Sequence, residues 1–146
     1  MARVADVLAK KGHQVHTIDD TATVYDAVKR MVDRNAGSLL VLDGARIAGI
    51  ITERDYLRQI VLQGRTSRTT LVGEIMTANV VVIGPEHSLE ECMAIMTEKR
   101  IRHLPVLSEG RLVGVVSIGD LVKYLSTDQK YQIQYLTDYI TGKYPA

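Results

Sequence analysis

The chain has 146 residues, of which 46 % are hydrophobic and 24 % charged, and a formal net charge of +1 at pH 7. Length and composition suit one globular domain, and they give neither the basic surplus of a nucleic-acid binder nor the roughly 20-residue apolar run of a membrane span. A single cysteine, Cys92, excludes an internal disulfide and fits a reducing compartment. The first residues carry no long apolar run ending at small residues, so no secretory signal is expected and a cytoplasmic location is.

In chain order, residues 4–8 predict a short amphipathic helix and 15–18 a strand. Thr23 then occupies an N-cap, with Asp26 at the reciprocal capping position. Val24, Ala27, Val28 and Met31 recur at helical spacing on one face. Asn35-Ala36-Gly37 closes this helix, the glycine being suited to a left-handed exit. An apolar strand over 39–42 meets the turn signal Asp43-Gly44 and returns as a hairpin partner over 46–51. Glu53 opens a second helix that runs to about residue 62. A polar connector over 63–79 contains Arg65 and Arg68.

The same order then recurs. Residues 80–83 predict a strand, Pro85 interrupts it, and Ser88 with Glu91 forms another capping box. Leu89, Cys92, Met93 and Met96 make the apolar face of the next helix, so Cys92 is read as a buried thiol rather than a redox sensor. Residues 104–107 and 111–116 form a hairpin around Ser108-Glu109-Gly110, and 118–125 is the closing helix. In the tail, residues 128–140, tyrosines 131, 135 and 139 step by four beside an aliphatic stripe, which predicts an amphipathic helix. It either packs on its own chain or docks a partner.

The recurrence is a repeat. Residues 15–60 align with 80–125 without a gap, and Gly49-Ile50-Ile51-Thr52-Glu53-Arg54-Asp55 returns as Gly114-Val115-Val116-Ser117-Ile118-Gly119-Asp120. Repeats of this size are marginal alone, so two interdependent halves are expected. We divide the chain into 1–70 (first repeat with the N-terminal helix), 71–126 (second repeat) and 127–146 (C-terminal helix and tail).

A duplicated polar signature implies two related binding sites rather than one catalytic centre. Asp55 and Asp120 fall in the first turn of a helix, where a carboxylate can accept both hydroxyls of a ribose diol. Thr52 and Ser117 precede those helices and can cap them or donate to a phosphate beside free N–H groups. Gly49 and Gly114 allow close backbone approach. The Thr/Ser-x-x-Asp spacing is also a capping box in its own right, and both readings stand at this point.

The motifs Thr52–Tyr56, Gly64–Thr69, Arg102–Val106 and Ser117–Asp120, in order and at matching spacing, resemble the tandem CBS-domain proteins, or Bateman modules, in their small stand-alone subgroup. The resemblance implies an α/β (α+β) fold. Two βαββα repeats pack with pseudo-two-fold symmetry around two clefts, and a C-terminal helix follows. It implies adenosine ligands (AMP, ADP, ATP, NAD or NADH, S-adenosylmethionine), no metal, and homodimers formed through helices. It also implies site residues. The Asp55 cleft would draw phosphate contacts from Arg102 and His103, next to Pro105, with Arg54 adding charge. The Asp120 cleft would meet the uncharged Gly37 and Ser38, and Gly119 stands where the first copy has Arg54. Backbone groups at Thr17, Ile18, Val82 and Ile83 would read the adenine edge. The Asp55 cleft is therefore expected to prefer a phosphate-bearing ligand and the Asp120 cleft to bind more weakly, or to take the adenosine end of a larger ligand.

His13, His16, His87 and His103 lack metal-ligand spacing, and no nucleophile elbow, Walker loop or dinucleotide fingerprint is present. A regulatory adenine-nucleotide sensor acting through an unknown effector protein is the first reading. A nucleic-acid-binding or structural adaptor using Arg65, Arg68 and the tail is the alternative, and slow nucleotide hydrolysis is a third.

Overall fold

The computed structural model describes residues 2–126 and Thr137. The elements are α1 (Val4–Lys11), β1 (Thr17–Asp19), α2 (Val24–Arg34), β2 (Ser38–Asp43), β3 (Arg46–Thr52) and α3 (Glu53–Tyr56). A π-helical segment (Leu57–Val61) follows, then α4 (Val72–Ile75), α5 (Leu89–Lys99), β4 (His103–Ser108), β5 (Arg111–Ser117) and α6 (Ile118–Leu125). This is a mixed α+β chain with two small sheets, as expected. The tail helix expected over 128–140 lies outside the described residues, Thr137 excepted.

The described chain forms two compact units, one of Val15–Val80 and one that joins residues 2–14 to residues 81–126. In the Val15–Val80 unit, β1 runs parallel to β2 and β2 antiparallel to β3. Ile18, Leu39, Val41 and Ile51 from the sheet meet Val24, Ala27 and Met31 of α2 in one apolar cluster. Thr23 caps α2 by accepting from the Asp26 N–H at 3.1 Å. The helix exits left-handed at Asn35 (φ 51), not at Gly37 as expected. Asparagine tolerates this conformation because its short polar side chain can bond locally. The two-residue hairpin loop has Gly44 at φ 63, the sign a tight hairpin turn needs.

The second helix of this unit is not the uniform α-helix expected over 53–62. After one α turn the spacing opens, with the Leu62 N–H donating to the Leu57 carbonyl and the Arg65 N–H to the Ile60 carbonyl, each at 3.0 Å. Ile60 enters the core, while Leu57, Val61 and Leu62 remain exposed.

The connector is more than a polar link. Val72 and Ile75 of α4 are buried in the same cluster. The Val72 N–H donates to the Ala22 carbonyl, and the Val24 N–H donates to the Thr70 carbonyl, both at 2.8 Å. Glu74 accepts from the Leu71 N–H at 2.6 Å and meets Arg65 at 3.1 Å.

The other unit repeats this plan with a different source for its covering helix. β4 and β5 pair antiparallel, with Glu109 (φ 52) and Gly110 (φ 76) in the loop. The strand expected over 80–83 shrinks to one parallel bridge between Ile83 and Val106. The Ile83 N–H donates to the Pro105 carbonyl (3.0 Å) and its carbonyl accepts from the Leu107 N–H (2.8 Å). Gly84 and Pro85 then turn the chain away, and proline offers no donor to continue a ladder. Ser88 and Glu91 form the expected reciprocal cap of α5, and those bonds hold the Glu91 carboxyl below the usual range. Leu89, Cys92, Met93 and Met96 are all buried, and burial pushes the Cys92 thiol up to about 12.

Helix α1 packs here and not, as grouped from the sequence, with the first repeat. Val4, Val7 and Leu8 join the cluster of Leu104, Val106 and Leu121. The Val4 N–H donates to the His87 carbonyl and the Ala5 N–H to the Pro85 carbonyl, each at 2.9 Å. α1 thus does for this unit what α4 does for the other. The sequence carried the signal, since Val4-x-Asp6-Val7-Leu8 matches Val72-x-Glu74-Ile75-Met76 in type.

These covering segments explain two glycines. A Cβ on Gly49 would lie 2.5 Å from the Thr77 carbonyl oxygen and 2.8 Å from Met76 Sδ. On Gly114 it would lie 2.7 Å from Leu8 Cδ2. Close approach is real at both, but the neighbour is the chain itself rather than the ligand expected. Because Gly49 faces fixed backbone and Gly114 a side chain that can rotate, Gly49→Ala should destabilise by about 2–3 kcal/mol and Gly114→Ala by about 1 kcal/mol. Urea unfolding of the two variants checks the order.

Candidate functional site

Within each unit the start of one strand and the start of one helix lie together. Ser38 pairs with Thr52 across β2 and β3, and the Glu53 N–H donates to the Gly37 carbonyl at 3.1 Å. In the other unit His103 pairs with Ser117, and the Ile118 N–H donates to the Arg102 carbonyl at 2.9 Å. Gly37, Ser38, Thr52 and Asp55 are thereby one cluster, and Arg102, His103, Ser117 and Asp120 its counterpart. Arg54, Arg102 and Gly119 are exposed on the rims of these clusters.

Both carboxylates close a capping box. Asp55 Oδ2 accepts from the Thr52 N–H (2.9 Å) and hydroxyl (3.1 Å), while Thr52 Oγ1 accepts from the Asp55 N–H (3.2 Å). Asp120 Oδ2 accepts from the Ser117 N–H (2.8 Å), and Ser117 Oγ accepts from the Asp120 N–H (3.1 Å). The caps use one oxygen of each carboxylate. Asp55 Oδ1 takes a long contact from the Thr77 hydroxyl at 3.4 Å. An ionised carboxylate offers about four lone-pair sites, so capping leaves it room for a diol.

The two copies differ in what borders the carboxylate. Beside Asp55, the Ile50 main chain exchanges two hydrogen bonds with Thr77 (3.0 and 2.9 Å), and Thr77 brings a neutral hydroxyl. Beside Asp120, Lys11 at the end of α1 donates to the Val115 carbonyl and to Asp120 Oδ2 at 2.6 Å. Sequence reasoning expected no charge near Asp120 and missed Lys11 and Thr77. Both lie in the covering segments, outside the aligned repeat.

The strand positions are mixed. Ile18 and Ile83 are buried core residues, and both main-chain groups of Ile83 are engaged in its bridge. The Thr17 carbonyl accepts from the Arg30 guanidinium. Val82 is 43 % exposed. Pro105 is buried and its carbonyl serves Ile83. A groove of about 460 Å³ lies between α2 and α3, lined by Val28, Met31, Val32, Tyr56 and Leu57 among others. It borders the carboxylate cluster at Gly37 and Glu53 but is not lined by Thr52 or Asp55. Among the described residues no group of histidine, cysteine and acidic side chains could hold a metal ion, and no helix is long and apolar enough to cross a membrane.

The chain has known relatives. The CBS domain family matches twice, at residues 4–62 and 72–127, and the chain belongs to it. A mitochondrial CBS domain-containing protein of Arabidopsis thaliana is 43 % identical over 97 % of this chain and 73 % of its own length. A CBS domain-containing protein of Bacillus subtilis is 33 % identical over 83 % of this chain and 84 % of its own. The solved structure of a putative signal-transduction protein with CBS domains from Burkholderia ambifaria superposes with a TM-score of 0.85 at 52 % identity, covering 88 % of this chain and 96 % of that one.

His103 reports on the second cluster. Its pKa falls to about 4, chiefly through burial and then through the Arg102 charge, against a smaller opposing pull from Asp120. The folded state thus holds it neutral where an unfolded chain, with a pKa near about 6.5, would protonate. This costs no stability above about pH 6.5, and stability is lost as pH falls from there toward about 4. Because the ring is only partly buried by surface area, the loss should be on the order of 1–2 kcal/mol. Thermal melts across that window should show the decline, and His103→Gln should flatten it.

Proposed function

We propose that this CBS-domain pair is a regulatory module that binds adenine nucleotides, with Asp55 and Asp120 accepting ribose hydroxyls. The observation that carries the reading is the duplicated carboxylate in a helix first turn, held by an N-cap that uses one oxygen and leaves lone pairs for a diol. Thr52 and Ser117 keep the carboxylates in place, and their helix N-termini favour an anion nearby. Gly49 and Gly114 support the site by admitting the covering segments. Arg102, His103 and Arg54 would hold phosphate at the Asp55 end, with Pro105 beside them. Gly37, Ser38 and Gly119 would border the other end. Guanidinium groups bind phosphate by short charge-assisted bonds. Thr17, Ile18, Val82 and Ile83 would border the adenine, chiefly through the exposed Val82.

Signalling would follow from differential affinity. A ligand that binds one arrangement of the repeats or of a homodimer better than another shifts the population toward it. The exposed Val32, Leu57, Val61 and Leu62 offer an apolar surface for such pairing. The reading is of a binding module with an effector protein still to be found, not of an enzyme. Its cytoplasmic location is part of the proposal, although the Arabidopsis relative is named as mitochondrial.

Calorimetric titration with AMP, ADP, ATP, NAD, NADH and S-adenosylmethionine tests it. AMP should bind, and Asp55→Asn, which can keep the cap, should weaken it at least about tenfold through loss of charge-assisted bonds. Arg102→Ala should weaken AMP but not adenosine. Absence of heat with every ligand overturns the reading; AMP binding indifferent to Arg102 overturns the phosphate assignment.

A further inference from the structure

The two carboxylates are capped alike yet carry different companions. Thr77 and Lys11 hold corresponding places beside β3 and β5. Thr77 satisfies the Ile50 carbonyl and brings a hydroxyl to Asp55, whereas Lys11 satisfies the Val115 carbonyl and brings an ammonium to Asp120. Lys11 is held there by its surroundings. Gly12 ends α1 at φ 102, and His13 Nδ1 lies 2.8 Å from the Val113 carbonyl, so the helix end is fastened along β5 at two carbonyls. The neighbouring Lys10 points elsewhere, toward the Tyr124 ring. The Lys11–Asp120 pair is partly shielded, with the side chains 34 % and 23 % exposed.

Among the described residues, the hydrogen bonds to the Asp120 carboxylate all fall on Oδ2, which serves the Ser117 N–H and Lys11 together. A ribose that takes this carboxylate must share it with the ammonium or displace it. Displacement strands a partly desolvated cation unless the ligand supplies an anion to receive it. At Asp55 the companion is neutral and no such demand arises.

We propose that Lys11 is a specificity-determining residue of the Asp120 half-site, where it discriminates against uncharged nucleosides and admits adenosine ligands that carry a phosphate. This rests on the nucleotide-binding reading above, and it reverses the charge expectation for this half-site, for which the aligned repeats supplied only Gly37 and Ser38. The discriminating charge comes from the N-terminal helix, and the ligand class is a nucleoside 5′-phosphate rather than a nucleoside.

Calorimetry on the Asp55→Asn protein, with AMP and with adenosine, isolates this half-site. AMP should bind more tightly than adenosine. Adding Lys11→Met should weaken AMP and strengthen adenosine, lowering their affinity ratio about tenfold, in keeping with a partly buried charged contact. Adding Lys11→Arg, which keeps the charge, should preserve the ratio and so separates loss of charge from loss of fold. An unchanged ratio in Lys11→Met overturns the inference, as does failure of both ligands to bind with either residue at position 11. The broader reading is judged separately, by AMP binding to the unaltered protein and by loss of the Asp55 half-site's share of that binding in Asp55→Asn. The inference can therefore fail while that reading stands.

Discussion

Everything at the two carboxylate clusters depends on one reciprocal arrangement, an N-cap hydroxyl and a carboxylate three residues on, each bonded to the other's backbone. It gives the helix donors that would otherwise lack partners something to bond. It also fixes the carboxylate with little side-chain freedom left to lose. A ligand that bound at Asp55 or Asp120, as proposed, would meet a group whose rotamer is already chosen, which would lower the ordering cost of binding. Capping and the proposed ligand recognition would therefore be successive uses of one geometry, and the capping box does not argue against a binding site.

The strands that carry these caps are short, and neither sheet protects its own outer edge. Each edge is closed by a segment from outside the aligned repeat: the stretch around α4 and Thr77 along β3, and α1 with Lys11 and His13 along β5. This covering answers the need to satisfy edge carbonyls and to bury Val72 and Ile75, or Val4, Val7 and Leu8. It also breaks the equivalence of the copies. The repeat supplies two like carboxylates, and the covering segments supply unlike company, a hydroxyl in one case and an ammonium in the other.

Much of this was legible in the residues. The hairpins, the caps at Thr23 and Ser88, the apolar faces of α2 and α5 and the burial of Cys92 all follow from local pattern, because period and cap chemistry are local properties. The expected strand over 80–83 failed because Pro85 and a single bridge at Ile83 suffice where a full strand was read. The helix exit fell to Asn35 because left-handed geometry is open to asparagine as well as to glycine. The π-helical spacing after Tyr56 has no sequence marker that we can name. Lys11 and the partnership of α1 with the second repeat escaped notice for a different reason. They join residues far apart in the chain, and alignment of the repeat to itself excludes whatever lies outside it.

The placement of α1 has a consequence for biosynthesis. Residues near the amino terminus leave the ribosome first, yet the surface that receives Val4, Val7 and Leu8 is built from residues after position 80. The Val15–Val80 unit carries an apolar cluster drawn from its own residues. The leading helix must wait, its greasy side unprotected, until the last strands are made. Such long-range closure is slow relative to local contacts and prone to mispairing between neighbouring chains. Chains stalled or truncated before the second half would thus present an uncovered leading segment, a form suited to capture by chaperones.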